Sequence, residues 1–268
     1  MLPSISKHSP ILMKTSNQIV LITGGASGIG LAIAEKFLVH DNTVIIVGRT
    51  LAKLEDIQAK HPKIHIHQTD VSNDADVQTL VDHVRSKFNG LDVLVNNAGI
   101  MNLVDAGNEE NDLQKQMQEI EINYNSPIRV LHFFLPLLKK SSSAVVVNVS
   151  SGLAYVPFAQ APVYSGTKSA LHFWTLGIRP QLKPHGIKVL ELLPPVVDTP
   201  LAHGADLATD DNLKPMLPTK LADAFWKGYV QGAEEITPGI SKALKAMSRL
   251  APRLMFKQLN KQPIPRKP

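Results

Sequence analysis

Short apolar runs alternate with amphipathic stretches along this chain, and their lengths predict its elements. Ile19–Ile22, Thr43–Val47, Leu91–Val95, Ala144–Val149 and Ile187–Leu193 are short and mostly apolar, while Ile64–His67 alternates apolar and polar. Continuous runs of this length suit strands buried on both faces of a parallel sheet. Between them, apolar residues recur with helical period: Leu31, Ile33, Ala34, Phe37 and Leu38, then Leu51, Leu54 and Ile57, then Val77, Leu80, Val81 and Val84. A long helix is predicted from Leu113 to Lys139, bent at Pro127 and ending near Pro136, with Asn123 in its middle. Another runs from Tyr164 to about Leu182. Regular alternation of strand and helix means right-handed crossovers and one doubly wound parallel sheet, an α/β domain over residues 17–239.

The ends have a different character. Residues 1–16 lack either periodicity, are interrupted by Pro3 and Pro10, and are expected to be a disordered leader. They have no charged start followed by an apolar stretch, so they do not form a signal peptide, and Met13 is an alternative start. Leu221, Phe225, Trp226 and Tyr229 at helical spacing predict core or lid packing in a segment, roughly 200–235, that covers the site. Ile240, Leu244, Met247 and Ala251 share one helical face opposite Lys242, Lys245 and Arg249; Pro252 ends or kinks that helix, and Leu254–Leu259 adds another turn or two. Residues 240–268 therefore read as a basic amphipathic tail.

Composition narrows the class. With 268 residues and 44% hydrophobic content the chain can bury a large core, and no apolar run approaches the ~18 residues of a membrane span. The absence of cysteine excludes disulfides, thiolate metal sites and cysteine nucleophiles, and suits a reducing, cytoplasmic setting. Net charge is +5, but the eight bases after residue 239 face no acid there, which leaves −3 on the remainder. A mildly acidic body argues against a nucleic-acid surface. The basic tail suits either peripheral contact with an anionic membrane or docking on its own domain or a partner subunit.

Candidate chemistry begins at Thr23-Gly24-Gly25-Ala26-Ser27-Gly28-Ile29-Gly30, where the first strand turns into the first helix. Glycines at such a turn admit a pyrophosphate close to the backbone, facing a helix N-terminus. The second strand ends at Gly48-Arg49 without the acid that would bind a ribose 2′-hydroxyl, and a cation there favours the 2′-phosphate of NADP(H), with NAD(H) the other possibility. Asn96-Asn97-Ala98-Gly99 closes the fourth strand at the sheet edge where ligands bind. His65 and His67 share one strand face without further ligands nearby in sequence, so no metal site is assigned. Tyr164 and Lys168 stand one helical turn apart, Cα atoms roughly 6 Å from each other. A fixed ammonium that close lowers the pKa of a phenol and fits it for proton transfer.

Taken together, these motifs resemble those of the short-chain dehydrogenase/reductase family from about Ile19 to Thr199, in the family's order: the glycine loop, Asp70-Val71, Asn96–Gly99, Asn123, Ser151, and Tyr164 with Lys168. Ser151 rather than Ser150 matches, because it stands 13 residues before Tyr164. The resemblance implies a Rossmann-type fold and hydride transfer between a nicotinamide and a carbonyl or alcohol. In those terms Tyr164 is the acid/base, Ser151 polarises the substrate oxygen, Lys168 binds the nicotinamide ribose, and Asn123 holds a water through its backbone. Implied cofactor contacts are Gly24, Ser27, Gly28, Ile29, Gly30, Arg49, Asp70, Val71, Asn97, Ala98, Gly99, Tyr164, Lys168, Val197 and Thr199. A homodimer or homotetramer is implied as well. Leu-Pro-Pro-Val-Val-Asp-Thr looks like a bacterial subgroup named for an operon that adds D-alanine to teichoic acids, and Pro195 stands where the family usually has glycine. That departure leaves a nucleotide-binding sensor or scaffold as the alternative function. Leu153, Ala154, Tyr155, Val156 and Phe158 after the serine suggest an apolar substrate or lid packing.

Overall fold

Each of the six predicted runs forms a strand in the computed structural model, which describes residues 13–110, 112–205 and 214–261. They are β1 (Ile19–Thr23), β2 (Thr43–Gly48), β3 (His65–Gln68), β4 (Val93–Asn96), β5 (Val145–Val149) and β6 (Lys188–Leu192). A seventh, β7 (Glu235–Ile236), pairs with β6 and was absent from the predicted set, because two residues carry no periodicity. The single sheet has the order β3-β2-β1-β4-β5-β6-β7, and every pairing is parallel. The chain works outward from β1 to β3, then crosses back to place β4 on the other side of β1. That reversal opens a crevice at the carboxyl ends of β1 and β4.

Side-chain alternation divides the core. Val20 and Ile22 of β1 with Val44 and Ile46 of β2 pack beneath α1 (Gly28–Leu38), α2 (Leu51–Lys60) and α8 (Pro218–Val230). Leu21, Ile45 and Val47 face α3 (Asp74–Phe88), α5 (Ser126–Leu138) and α6 (Pro162–Leu182) on the other side. Both faces being covered explains why the central strands β1, β2, β4 and β5 are mostly apolar, whereas β3 at the edge is half-buried and alternates. Leu221, Phe225 and Tyr229 are core residues: Phe37 of α1 has no exposure and meets the rings of Phe225, Trp226 and Tyr229 at 6.0, 5.3 and 5.2 Å.

The long helix differs from its prediction. α4 (Leu113–Ile120) runs into a π-helical turn, Glu121–Asn125, before α5 begins, and Pro136 lies inside α5 rather than ending it. The wide turn, closed by Ser126 N–H donating to Glu121 O, ends just before Pro127, which has no N–H to continue the ladder.

Neither end of the described chain hangs free. Met13 is buried in the core and donates its N–H to Val230 O at 3.0 Å. At the other end, α9 (Ile240–Leu250) and α10 (Pro252–Leu259) follow β7. Ser241 and Leu244 form the buried stripe of α9, whereas Ile240, expected on that face, is 61% exposed. Among the described residues no helix is long and apolar enough to cross a membrane.

Truncating Phe37 removes the ring that Phe225, Trp226 and Tyr229 all contact. Phe37→Ala is expected to cost about 3–5 kcal/mol of unfolding free energy, measured by urea denaturation. A loss under ~1 kcal/mol would mean that α1 and α8 are not held by this cluster.

Candidate active site

The crevice at the reversal is built by two loops locked to each other. Thr23 Oγ1 accepts the backbone N–H groups of Asn97 and Ala98, each at 3.0 Å, and Asn97 Nδ2 donates to Thr23 O and Gly24 O at 2.9 and 3.1 Å. Gly30 lies directly underneath: an added Cβ would fall 2.4 Å from Gly24 O and 2.5 Å from Asn97 Nδ2. Gly24 and Gly28 take left-handed φ of 66° and 54°. Ser27 does not cap α1 with its side chain, so the helix N-terminus faces the crevice with its N–H groups available to an anion.

Residues expected from sequence fall into three groups. Gly24, Ser27, Gly28, Ile29, Asn97, Ala98, Gly99, Tyr164, Lys168 and Thr199 line the crevice. Arg49 and Asp70 line an adjoining cleft beside β2 and β3. Gly30, Val71, Asn123, Ser151 and Val197 are outside both linings, and Val71, Asn123, Ser151 and Val197 are buried side chains. Val149, Ser150, Pro200 and Leu201 also line the crevice and carried no sequence signal of their own. The glycine cradle and the exposed helix terminus fit a pyrophosphate, since any side chain at Gly24 would fill the space, its Cβ 2.9 Å from Ala98 Cα.

In the adjoining cleft, burial pushes the Asp70 carboxyl up, but two hydrogen bonds from Ser72 and the charges of Arg49 and Arg129 outweigh it and hold it below its ordinary value. Asp76 lines the same cleft. His67 is hydrogen-bonded to Thr69 and tilted against the ring of His83, and no cluster of three or more His, Cys, Asp or Glu able to hold a metal occurs among the described residues.

At the far end, Tyr164, Lys168 and His172 repeat every fourth residue along α6 and all three are buried. Ser151 stands near enough to the Tyr164 hydroxyl to favour its ionised form, and its Oγ accepts Leu153 N–H at 3.1 Å. Ser150 points elsewhere, donating to Glu191 Oε1 at 2.6 Å, and the other oxygen of that carboxylate takes His172 Nδ1 at 2.8 Å. Lys168 donates to Val149 O at 3.0 Å, with Nζ 5.6 Å from the Tyr164 ring centroid. Asn123 uses its side chain to fix the loop after Gly99: Oδ1 accepts Ile100 N–H at 2.9 Å, while Nδ2 donates to Ile100 O at 2.8 Å and to Thr167 Oγ1.

The electrostatics correct one expectation. The Tyr164 phenol is not lowered by Lys168; burial pushes it up to about 12, against the pull of the nearby Ser151 hydroxyl and reinforced by the Glu119 carboxylate. Burial draws the Lys168 ammonium down to about 8, opposed by Glu119 and Glu191. Desolvation penalises both charged forms, and the ammonium is bound to a backbone carbonyl rather than to the phenol. Glu119 itself was missed in sequence, where a glutamate in an amphipathic helix reads as solvated. It is fully buried, its Oε2 accepts Asn102 N and Nδ2 at 3.2 and 2.9 Å, and its own carboxyl is raised by burial.

A lysine drawn from 10.5 to about 8 makes stability depend on pH. Between those values the unfolded chain holds the proton and the folded chain does not, so stability rises with pH through this window and the cost is full below pH 8. Lys168→Met removes the term. The stability difference between variant and wild type is expected to change by on the order of 3 kcal/mol between pH 7.5 and 10.5, the wild type gaining. A difference that stays constant with pH would show that Lys168 titrates normally.

Comparison with known proteins agrees with this geometry. Residues 18–209 match the short chain dehydrogenase family. The uncharacterized oxidoreductase DltE of Bacillus subtilis (strain 168) is 36% identical over 250 residues, 93% of this chain and 99% of that one. A short chain dehydrogenase from Burkholderia cenocepacia J2315, solved in complex with NADP, superposes with a TM-score of 0.79 at 22% identity, covering 92% of this chain and 99% of that one. One from Burkholderia phymatum, solved with NAD, gives 0.81 at 21% identity over 96% and 100%. With the family match covering the glycine loop, the crevice and the tyrosine helix, the chain belongs to the short-chain dehydrogenase/reductase family.

Proposed function

We propose that this protein is an NADP(H)-dependent oxidoreductase acting on a carbonyl or alcohol, with Tyr164 as its acid/base. The observation that carries the reading is the grouping of Ser151, Tyr164 and Lys168, all buried at one end of a crevice whose other end is a glycine cradle on a helix terminus. A bound nicotinamide nucleotide supplies the hydride. Gly24, Ser27, Gly28, Ile29 and Gly30 form the pyrophosphate seat, Asn97, Ala98 and Gly99 the ribose wall, Asp70 and Val71 the adenine side, and Val197 and Thr199 the nicotinamide side. Lys168 holds the nicotinamide ribose, and Asn123 orders the wall through Ile100 and offers its backbone to a water.

With its phenol near 12, Tyr164 stays protonated at neutral pH, the form that donates to a developing alkoxide. Ser151 positions the substrate oxygen for that donation. Reduction of a carbonyl is the direction this charge state serves. The apolar loop after Ser151 suits an apolar substrate.

Preference for NADP(H) over NAD(H) rests on Arg49 and on the missing acid at the end of β2. Asp70 and Asp76 share that cleft, so the preference depends on Arg49 outweighing them. The proposed setting is the cytoplasm, in a homodimer or homotetramer, with peripheral contact to anionic membrane through residues 240–268. The body, 17–239, is the catalytic unit in this reading. A non-catalytic sensor was the alternative raised by Pro195. The segment it begins is held by a parallel bridge between Val197 and Met216, with Met216 N–H on Val196 O at 2.9 Å, so proline does not leave that wall unformed.

Two variants test the reading. Tyr164→Phe is expected to bind NADPH as the wild type does while carbonyl reduction falls by about 10²–10⁴. Retained turnover would remove Tyr164 from its role. In fluorescence titrations, Arg49→Ala should weaken NADPH by about tenfold or more and leave NADH unchanged. Equal losses for both nucleotides would show no 2′-phosphate contact.

A further inference from the structure

The loop joining Ser151 to Tyr164 has its shape imposed from outside. Its own hydrogen bonds are few: a 3₁₀ turn over Gly152–Ala154, Ala161 N–H to Phe158 O at 3.1 Å, and Phe158 N–H to Ser165 Oγ at 3.0 Å. Neighbouring elements hold it at Gly152 N–H on Pro194 O (2.8 Å), Val104 N–H on Gln160 O (2.9 Å) and Ser169 Oγ on Ala154 O (3.0 Å), and the C-terminal strand and helices add three more points. Gly152 packs so closely on α9 that an added Cβ would lie 2.7 Å from Ser241 Oγ and 3.2 Å from Leu244 Cδ1. Tyr155 donates its hydroxyl to Glu235 Oε2 at 3.1 Å, and Lys245 of α9 pairs with the same carboxylate.

The third contact is the most specific. Asn260, at the end of α10, accepts Ala159 N–H on Oδ1 at 2.6 Å and donates Nδ2 to Pro157 O at 3.0 Å. The same nitrogen donates to Phe256 O at 2.9 Å, which anchors the amide to the last turn of its own helix. One side chain thus closes both a carbonyl and an N–H two residues apart, as a neighbouring strand would. Only a carboxamide carries donor and acceptor in that arrangement, and aspartate offers the acceptor alone.

We propose that Asn260 is a specificity-determining positioning residue, fixing the backbone of residues 157–159 and with it the substrate-facing loop between Ser151 and Tyr164. The proposal rests on the catalytic reading of those two residues. It makes the C-terminal helices part of the site, with the substrate pocket's shape set more than a hundred residues downstream of Ser151.

The test uses the full chain as wild type, Asn260→Ala and Asn260→Asp. Hydrogen–deuterium exchange across residues 152–161 is expected to rise about tenfold in Asn260→Ala and less in Asn260→Asp, which keeps the bond to Ala159 N–H. NADPH affinity and exchange across α1 should not move. For a carbonyl the wild type reduces, KM should rise about three- to tenfold with kcat nearly unchanged, because uniform substrate binding is lost while the Tyr164 chemistry is kept. Unchanged exchange at 152–161 in Asn260→Ala overturns the clamp. Raised exchange with KM and kcat unaltered overturns its role in specificity. A wild type inactive on every carbonyl and unable to bind nucleotide would instead sink the catalytic reading, while the exchange comparison still decides the clamp.

Discussion

Thr23 and Asn97 lock together the two loops that the parallel sheet leaves side by side at its carboxyl edge, and the crevice depends on that lock. A hydroxyl accepting two buried N–H groups and an amide donating to two carbonyls leave few backbone groups at the reversal without partners. The lock also fixes the floor: Gly30 fits only because nothing projects between Gly24 O and Asn97 Nδ2. A helix terminus is useful for binding an anion only if it is held at one distance from the rest of the wall. Here the sheet register, Ile22 beside Val95, sets that distance and the two side chains keep it.

Burial, rather than mutual attraction, dominates the charge states at the other end. Tyr164, Lys168 and Glu119 are all out of water, and in each case desolvation is the largest influence, favouring the neutral form. A neutral phenol near a weakened ammonium and a weakened carboxyl is a site that can move a proton without first creating an isolated charge. Glu119 ties this cluster to the loop through Asn102, and Asn123 ties the same loop one turn later through Ile100. The π-helical turn contains Asn123 and lies between Glu119 and Pro127, so the widening falls where the helix must serve both the core and the crevice.

Much of this was legible in the chain. Five strands announced themselves because both faces of the sheet are covered there, β3 by alternation, and the glycine loop and Tyr164–Lys168 spacing are local patterns that geometry preserves. What escaped was non-local or too short. β7 has two residues; the π turn needs knowledge of Pro127 together with the buried Ser126; and Glu119 and Glu191 look like ordinary surface acids until the fold removes them from solvent. The direction of the Tyr164 shift was read from one neighbour. Desolvation cannot be read that way, since it is a property of everything packed around the group.

The contrast between an acidic body and a basic end acquires a structural meaning from this packing. Lys245 is engaged with Glu235, and Arg179 of α6 approaches Glu234 and Glu235 at 3.9 and 3.8 Å, so β7 and its flank collect positive charge from both sides. That interaction holds α9 against the turn after Ser151, where close approach to Gly152 leaves no room for a side chain. The tail therefore has two faces with different duties. Ser241 and Leu244 are committed to the fold, whereas Leu250, Leu254 and Phe256 stay exposed among Arg249, Arg253 and Lys257. An anionic surface drawn to the second face would pull on helices whose first face and terminal asparagine shape the loop over the site. The membrane contact and the specificity role proposed above would then fall on the same short pair of helices.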